Sequence, residues 1–361
     1  MPSAAYNSLL AIAEKVKLWI TPSRQTFAEI PCLNEGPSPE PQMTSVPLWS
    51  EDFFTYCIAK FDLDFDSFPA PITYNKVLRT LEETAQAQPR EATRESNLRA
   101  TATKQGYEID LGSQTIEITG KKWKIKEANS AAIFHRPIAN RPLPTPTYSE
   151  KPLAGHLRAA FGIKETKSPQ DDPALALAQW LELALRPDTH CPPLILTGEL
   201  SDQAADALRQ LIDPASSNQL PFPTGRGEAG WMALYNRVLA FQVIGTITEF
   251  KRKVIKELSQ GLFSTRLRQN DHKGPKRFRQ LGRPVILALA DAKIPDICGN
   301  QIHIEIHKCG TLPHEEVLAA LFNQMVHNLR NKPKPRPEPA NDDSPILFLN
   351  LANILVISPF P

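Results

Sequence analysis

Apolar residues recur along this chain in two rhythms, one helical and one of period two. In residues 7–20, Leu9, Leu10, Ile12, Ala13, Val16 and Trp19 share one helical face, with Asn7 or Ser8 as cap and Pro22 as stop. Phe27 to Ile30 predicts a short strand, and residues 33–48 read as a Pro/Ser/Glu loop. A second helix is expected from Ser50 through Phe53, Phe54, Tyr56, Cys57 and Ile58, and a third over Tyr74 to Gln86. Between 106 and 126 the period becomes two. Tyr107–Leu111, Thr115–Ile118 and Trp123–Ile125 alternate, with turns at Gly112-Ser113 and Gly120-Lys121, which predicts an antiparallel meander.

Beyond the connector Arg141-Pro142-Leu143-Pro144 the rhythm changes again. An apolar helix starts at Pro173 and stops at Arg186-Pro187. Leu194-Ile195-Leu196 is a buried-type strand that turns at Thr197-Gly198 into a helix ending near Asp213-Pro214. Residues 215–230 read as loop. Val238–Phe241, Pro284–Leu289 and Ile302–Ile306 are further strands, and Glu249–Gln260 and Pro313–Arg330 are helices. Leu262-Phe263 and Phe278 flank a hairpin turn at His272-Lys273-Gly274-Pro275. Strands alternating with helices predict an α/β fold with a parallel sheet. The expected organisation is a smaller α+β accessory domain over 1–148, an α/β domain over 149–330, and a Pro-rich linker with an apolar tail over 331–361.

Composition narrows the function classes. Hydrophobic content of 41% and charged content of 22% are globular values. The 34 prolines outnumber the 16 glycines and cluster in linkers. Five cysteines without a C-x-x-C argue for free thiols in a reducing compartment. No signal-peptide pattern opens the chain, and no apolar run is long enough to span a bilayer, so a cytoplasmic protein without membrane contact is expected. Asp62, Asp64 and Asp66 lack the Gly and closing Glu of a calcium loop, and His303 and His307 read as solvated strand residues, so no metal is expected. No G-x-S-x-G, H-E-x-x-H or G-x-G-x-x-G occurs, and no catalytic residue is assigned.

The stretch from Pro193 to Pro214 has the strand–Gly turn–helix layout of a phosphate-binding loop. Such a loop needs G-x-x-x-x-G-K-[ST], so that backbone N–H groups and a Lys surround the phosphates. Gly198 supplies the first glycine, and the second glycine, the Lys and the hydroxyl residue are missing.

In order and spacing the chain resembles the P-loop helicase-like ATPases of phages and integrated elements. These occur with primase-polymerase modules and are related to superfamily 3 and AAA+ helicases. The resemblance runs from about Asn7 to Arg330, through IDLGSQTIEITGKKWKI, FHRPIANRPLPTP, ALAQWLELALRP, PLILTGE, LRQLIDP, NRVLAFQVIG, GLFSTRL and GRPVILALA. It implies an AAA+-like P-loop sheet, with remnants of a nucleotide site at Gly198, Glu199, Ser201 and Gln242. The departures bear on activity. No Lys occurs between Lys167 and Lys251, and Asp202 and Asp206 stand where the family offers a cation. Gln242 replaces the Mg²⁺-holding Asp, Ala288 the water-positioning Asn, and Gly299-Asn300-Gln301 the Asp-Arg pair. The resemblance therefore implies a catalytically impaired homologue with no cofactor. ATP and Mg²⁺ enter only in the alternative of residual hydrolysis by a DNA helicase or translocase subunit. A decayed structural protein without activity is the other alternative.

Charge is unevenly spread. From Lys251 to Arg283 eleven Lys/Arg face only Glu257 and Asp271, a net +9 in a chain whose total is +2. Related superfamily 3 helicases place a basic hairpin here. The expected nucleic-acid contacts, most simply to DNA, are Arg266, Arg268, Lys273, Lys276, Arg277 and Arg279, with Phe278 stacking on a base. A homo-oligomer or an active ATPase subunit is the other expected partner.

Overall fold

The structure is a computed structural model, and it describes residues 4–21, 25–31, 43–64, 70–87, 96–127, 133–137, 140–166, 168–187, 189–215, 220–260, 283–290 and 301–331. The expected basic hairpin, the Asp-Arg counterpart at Gly299 and Asn300, and the apolar tail lie outside these residues.

The first body is built from α1 (Ala4–Ala13), β1 (Lys17–Ile20), β2 (Thr26–Pro31), β3 (Met43–Pro47), α2 (Glu51–Asp64) and α3 (Pro71–Gln86). The strands form an antiparallel sheet in the order β1-β2-β3. The three helices pack with it around Leu9, Ile30, Val46, Leu48, Phe53 and Leu78. Here the single helix expected over 7–20 is corrected. It ends at Ala13, and Lys17–Ile20 pairs with Glu29–Thr26 instead. Trp19 decides the outcome, because its ring stacks on Phe27 at 4.5 Å and its indole N–H donates to Ser45 Oγ at 3.2 Å. The loop expected over 33–48 contains β3 for the same reason. Its Thr44–Pro47 residues are all buried, with Ser45 bonded to Trp19 and Val46 in the core with the helices.

The meander has four strands where three were expected: β5 (Ala100–Thr103), β6 (Gly106–Asp110), β7 (Gln114–Thr119) and β8 (Trp123–Glu127), in that order. Ahead of it, β4 (Ser96–Asn97) pairs in parallel with β9 (Ile133–Phe134). One face of the meander is apolar. Tyr107, Ile109, Ile116 and Ile118 enter the same hydrophobic cluster as the helices that follow.

Those helices are α4 (Leu153–Phe161), α5 (Pro173–Leu185), α6 (Ser201–Ile212), α7 (Arg226–Tyr235), α8 (Glu249–Gln260) and α9 (His314–Arg330). Between them run β10 (Leu194–Thr197), β11 (Leu239–Gln242), β12 (Val285–Leu289) and β13 (Ile302–Glu305). All four strands are parallel, in the order β11-β12-β10-β13. Alternation sends Leu194, Leu196, Ala240, Ile286 and Ala288 to the face covered by α6 and its neighbours. Ile195, Leu239, Phe241, Val285 and Leu287 go to the face covered by α7 and α8. A sheet covered on both faces reads as continuous apolar runs, as PLILT and PVILAL do. The loop expected over 215–230 ends early, because α7 begins at Arg226. The α7 glycines Gly227 and Gly230 hide the helical pattern in the sequence.

Buried polar groups fix the joints. Glu182 on α5 accepts from Gln324 and Asn328 of α9 at 3.1 and 2.6 Å. Asp213, fully buried after α6, accepts from Arg99 Nε at 3.0 Å and from the backbone N–H groups of Arg237 and Val238 at 2.7 and 3.0 Å. Arg99 holds a left-handed backbone at φ 62°, and its guanidinium also donates to the Arg141 and Pro214 carbonyls. That conformation costs a non-glycine residue about 1–2 kcal/mol, which these bonds offset. Asp213→Ala should cost about 3–5 kcal/mol in urea unfolding, because it strands a buried cation and two N–H groups. A loss below about 1 kcal/mol would contradict this assignment.

Candidate functional site

In an open parallel sheet the natural crevice lies at the carboxyl ends of the strands, where successive connections depart in opposite directions. Here that point lies between β10 and β12. The chain leaves β10 toward β11 on one side, whereas it leaves β12 toward β13 on the other. The structure brings the expected nucleotide-site remnants, Gly198, Glu199, Ser201 and Gln242, to these strand ends. Gln242 pairs in register with Ala288, and Ala288 with Leu196. Thr197 and Gly198 stand beside Leu289 and Glu305.

The turn itself is short and filled. Only Gly198, Glu199 and Leu200 separate β10 from α6. Gly198 sits at φ 108°, and a Cβ there would lie 2.6 Å from the carbonyl oxygen of Ile306. Its glycine is thus demanded by the close approach of the segment after β13. The Ser201 hydroxyl is buried and donates to the Leu289 carbonyl at 3.1 Å, stitching α6 across the crevice. At the start of α6, Ser201 N–H donates to Gly198, Ala204 N–H to Leu200, and Gln203 N–H to the Asp202 carboxylate at 2.8 Å. The Ser201 and Gln203 N–H groups are ones a helix start could offer to a phosphate, and the Asp202 carboxylate takes that of Gln203. Glu199 and Gln242 are exposed.

Titratable groups surround this edge. Thr197 Oγ1 and His303 Nε2 are 2.9 Å apart, and burial lowers the His303 pKa, with Glu305 opposing. His307 lies 3.7 Å from Glu305 across the outward face of β13. Burial raises the Cys309 thiol, helped by Asp202 and Asp206. Among the described residues no group of three or more His, Cys, Asp or Glu is placed to hold a metal ion.

Of the basic segment, the structure describes α8 and Arg283. Lys253 and Lys256 are exposed. Lys251 lies over the Phe222 ring at 5.5 Å, and Arg252 pairs with Glu249 at 3.9 Å. Arg283 is buried, donates to the Ala233 carbonyl at 2.8 Å, and has its pKa lowered to about 9 by burial and by Arg237. It contributes to the fold and is withdrawn from any surface charge. Arg266, Arg268, Lys273, Lys276, Arg277, Phe278 and Arg279 lie outside the described residues.

No protein-family model and no curated protein matches the chain. Among solved structures it is similar to the A form apo structure of the NrS-1 C terminal region, with a TM-score of 0.36 and 10% identity. That match covers 91% of this chain and 68% of the other. A likeness of that size carries no argument about fold or function. No helix among the described residues is long and apolar enough to cross a membrane.

Three buried arginines absent from the sequence candidates, Arg209, Arg237 and Arg283, lie at the opposite edge of the sheet. Arg209 donates to Asn236 Oδ1 at 2.9 Å, and Arg237 to the Ala184 and Arg186 carbonyls at 3.0 and 2.7 Å. A signal was present: Arg237 and Arg283 each stand just ahead of an apolar strand, where a solvated charge is out of place.

Two outcomes follow. Gly198→Ala should destabilise the protein by about 2 kcal/mol or more, while Ser201→Ala loses about 1 kcal/mol. Equal, negligible effects in thermal unfolding would argue against a closed turn. The folded-state pKa values of His156, His303 and His314 are all lowered, with burial the first cause. Stability is therefore complete above the ordinary imidazole value near ~6.5 and declines as pH falls through the lowered values. Denaturation midpoints measured between neutral and mildly acidic pH check this, and a midpoint that rises on acidification would refute it.

Proposed function

We propose that this chain is a P-loop ATPase homologue, of the helicase-like type found in phages and mobile elements, that no longer turns over nucleotide and acts by contacting nucleic acid. The observation that carries the nucleic-acid reading is a clasp. Arg283 N–H donates to the Leu258 carbonyl at 2.8 Å, so α8 and β12 already touch. Helix-to-strand connections ordinarily take about 2–6 residues. Residues 261–282 are therefore not needed to join them. The stretch contains Arg266, Arg268, Lys273, Lys276, Arg277 and Arg279 and one acid, Asp271. Six cations in a stretch not needed to join its flanks suit a phosphate backbone.

The loss of turnover is supported by the closed turn at Gly198. The Ser201 and Gln203 N–H groups are engaged, Asp202 would repel a phosphate, and Gln242 is a poor Mg²⁺ ligand. The residues present do not fit an ATP phosphate chain.

Fluorescence anisotropy on single- and double-stranded DNA, repeated over a salt series, tests the nucleic-acid part. Affinity should fall steeply with salt, and joint charge reversal of Lys276, Arg277 and Arg279 should weaken it at least tenfold with unchanged melting. Salt-independent affinity, or none at low salt, would sink it. Calorimetry with ATP and Mg²⁺ should give no binding heat, and a saturable heat would restore the nucleotide site.

A further inference from the structure

Away from the Gly198 turn, a cavity of about 370 Å³ opens between α4 and the segment that runs from β13 into α9. Lys151 reaches it from the residue pair ahead of α4, Lys308 and Thr311 from the loop after β13, and Glu316 from the first turn of α9. His156 lies in its wall, buried, with Nε2 2.9 Å from Ser149 Oγ. The Ser149 hydroxyl also lies 3.1 Å from the Lys151 carbonyl and donates to it. The imidazole then donates from Nε2, which ties the ring to the segment that carries Lys151.

We infer that this cleft binds a small, multiply charged anion of the phosphate class. Both lysine stems lie where glycines leave room for them. A Cβ at Gly155 would lie 3.1 Å from Lys151 Cε, so the Lys151 stem lies against the first turn of α4. Lys308 is seated in the same way. Its Cβ lies 3.0 Å from where Gly162 would carry one, and its Cε 3.7 Å from the corresponding point on Gly310. Gly162 is the left-handed cap of α4 at φ 65°, so this seat is part of the helix ending. Among the described residues neither lysine makes an ion pair. Two lysines and one acid, Glu316, are the charged residues of the lining, so its net charge favours an anion. The Thr311 hydroxyl supplies a neutral donor on the same rim. The volume is at the small end of ordinary ligand pockets, which suits inorganic phosphate, pyrophosphate or a short phosphate ester.

Titration of the full chain with pyrophosphate and with inorganic phosphate, followed by calorimetry and by the His156 ring resonances in NMR, is the test. Sulfate and chloride at matched ionic strength serve as controls. Saturable binding that moves the His156 signals is expected. It should weaken at least tenfold in the Lys151→Ala/Lys308→Ala double variant and strengthen severalfold in Glu316→Gln. Should the double variant fail to fold, Glu316→Gln alone decides the matter, because it removes the opposing charge without touching either lysine. Equal response to all four anions, or affinity indifferent to these substitutions, would mean an adventitious ion only and would overturn the site.

Discussion

The Asp213 carboxylate is the interaction on which the other joints depend. It is fully buried, and moving such a charge out of water costs several kcal/mol unless its lone pairs are filled. Three donors within 3.0 Å fill them, and they come from distant parts of the chain. Two are the first N–H groups ahead of β11. The third is Arg99, from the corner between β4 and β5. One side chain thus closes α6, starts β11 and fastens the meander to the parallel sheet. Arg99 holds its left-handed backbone because of this role.

The same edge shows a wider regularity. Helices that alternate with parallel strands end where the strands begin, so several carbonyl ends meet there. Arg237 fills those of α5 and Arg283 that of α7. Each cation sits against the negative end of a helix dipole, which favours it beyond the hydrogen bond itself. The other edge is the reverse, with Asp202, Asp206 and Glu305 around the start of α6 and the end of β13. A phosphate-handling sheet needs positive potential where the strands end. This sheet keeps its buried arginines at the edge where the strands begin.

Much of the fold was legible because burial on both faces leaves a plain mark. The strands β10, β11, β12 and β13 and the helices α8 and α9 were read within a residue or two. Failures occurred where tertiary contacts overrode local pattern. Lys17–Ile20 satisfies a helical period, yet the Trp19–Phe27 stack and the pairing with β2 draw it into a sheet. α7 is interrupted by glycines that count against a helix until Ala229 and Ala233 are buried under β11. For the candidate site, the sequence carried the missing Lys and the changed Gln242. It did not carry the reason for Gly198, since the carbonyl of Ile306 is more than a hundred residues away. Nor did it reveal the cleft at His156, because Lys151 and Lys308 come to line one cleft only once α4 packs on α9.

The first body and α7 are bridged by a short row of rings. Trp19 stacks on Phe27, Phe27 meets His135 edge-on at 5.6 Å, and His135 meets Tyr235 of α7 at 5.8 Å. The hydrogen bond between Leu258 and Arg283 is a different kind of tie, a pin across which the chain can vary. Whatever lies between those two residues can lengthen, shorten or change its charge, and the ends stay pinned. Loop-closure entropy grows only logarithmically with length, so such drift hardly touches stability. A lineage holding this scaffold can therefore rewrite its most charged stretch of sequence almost independently of the core on either side of it.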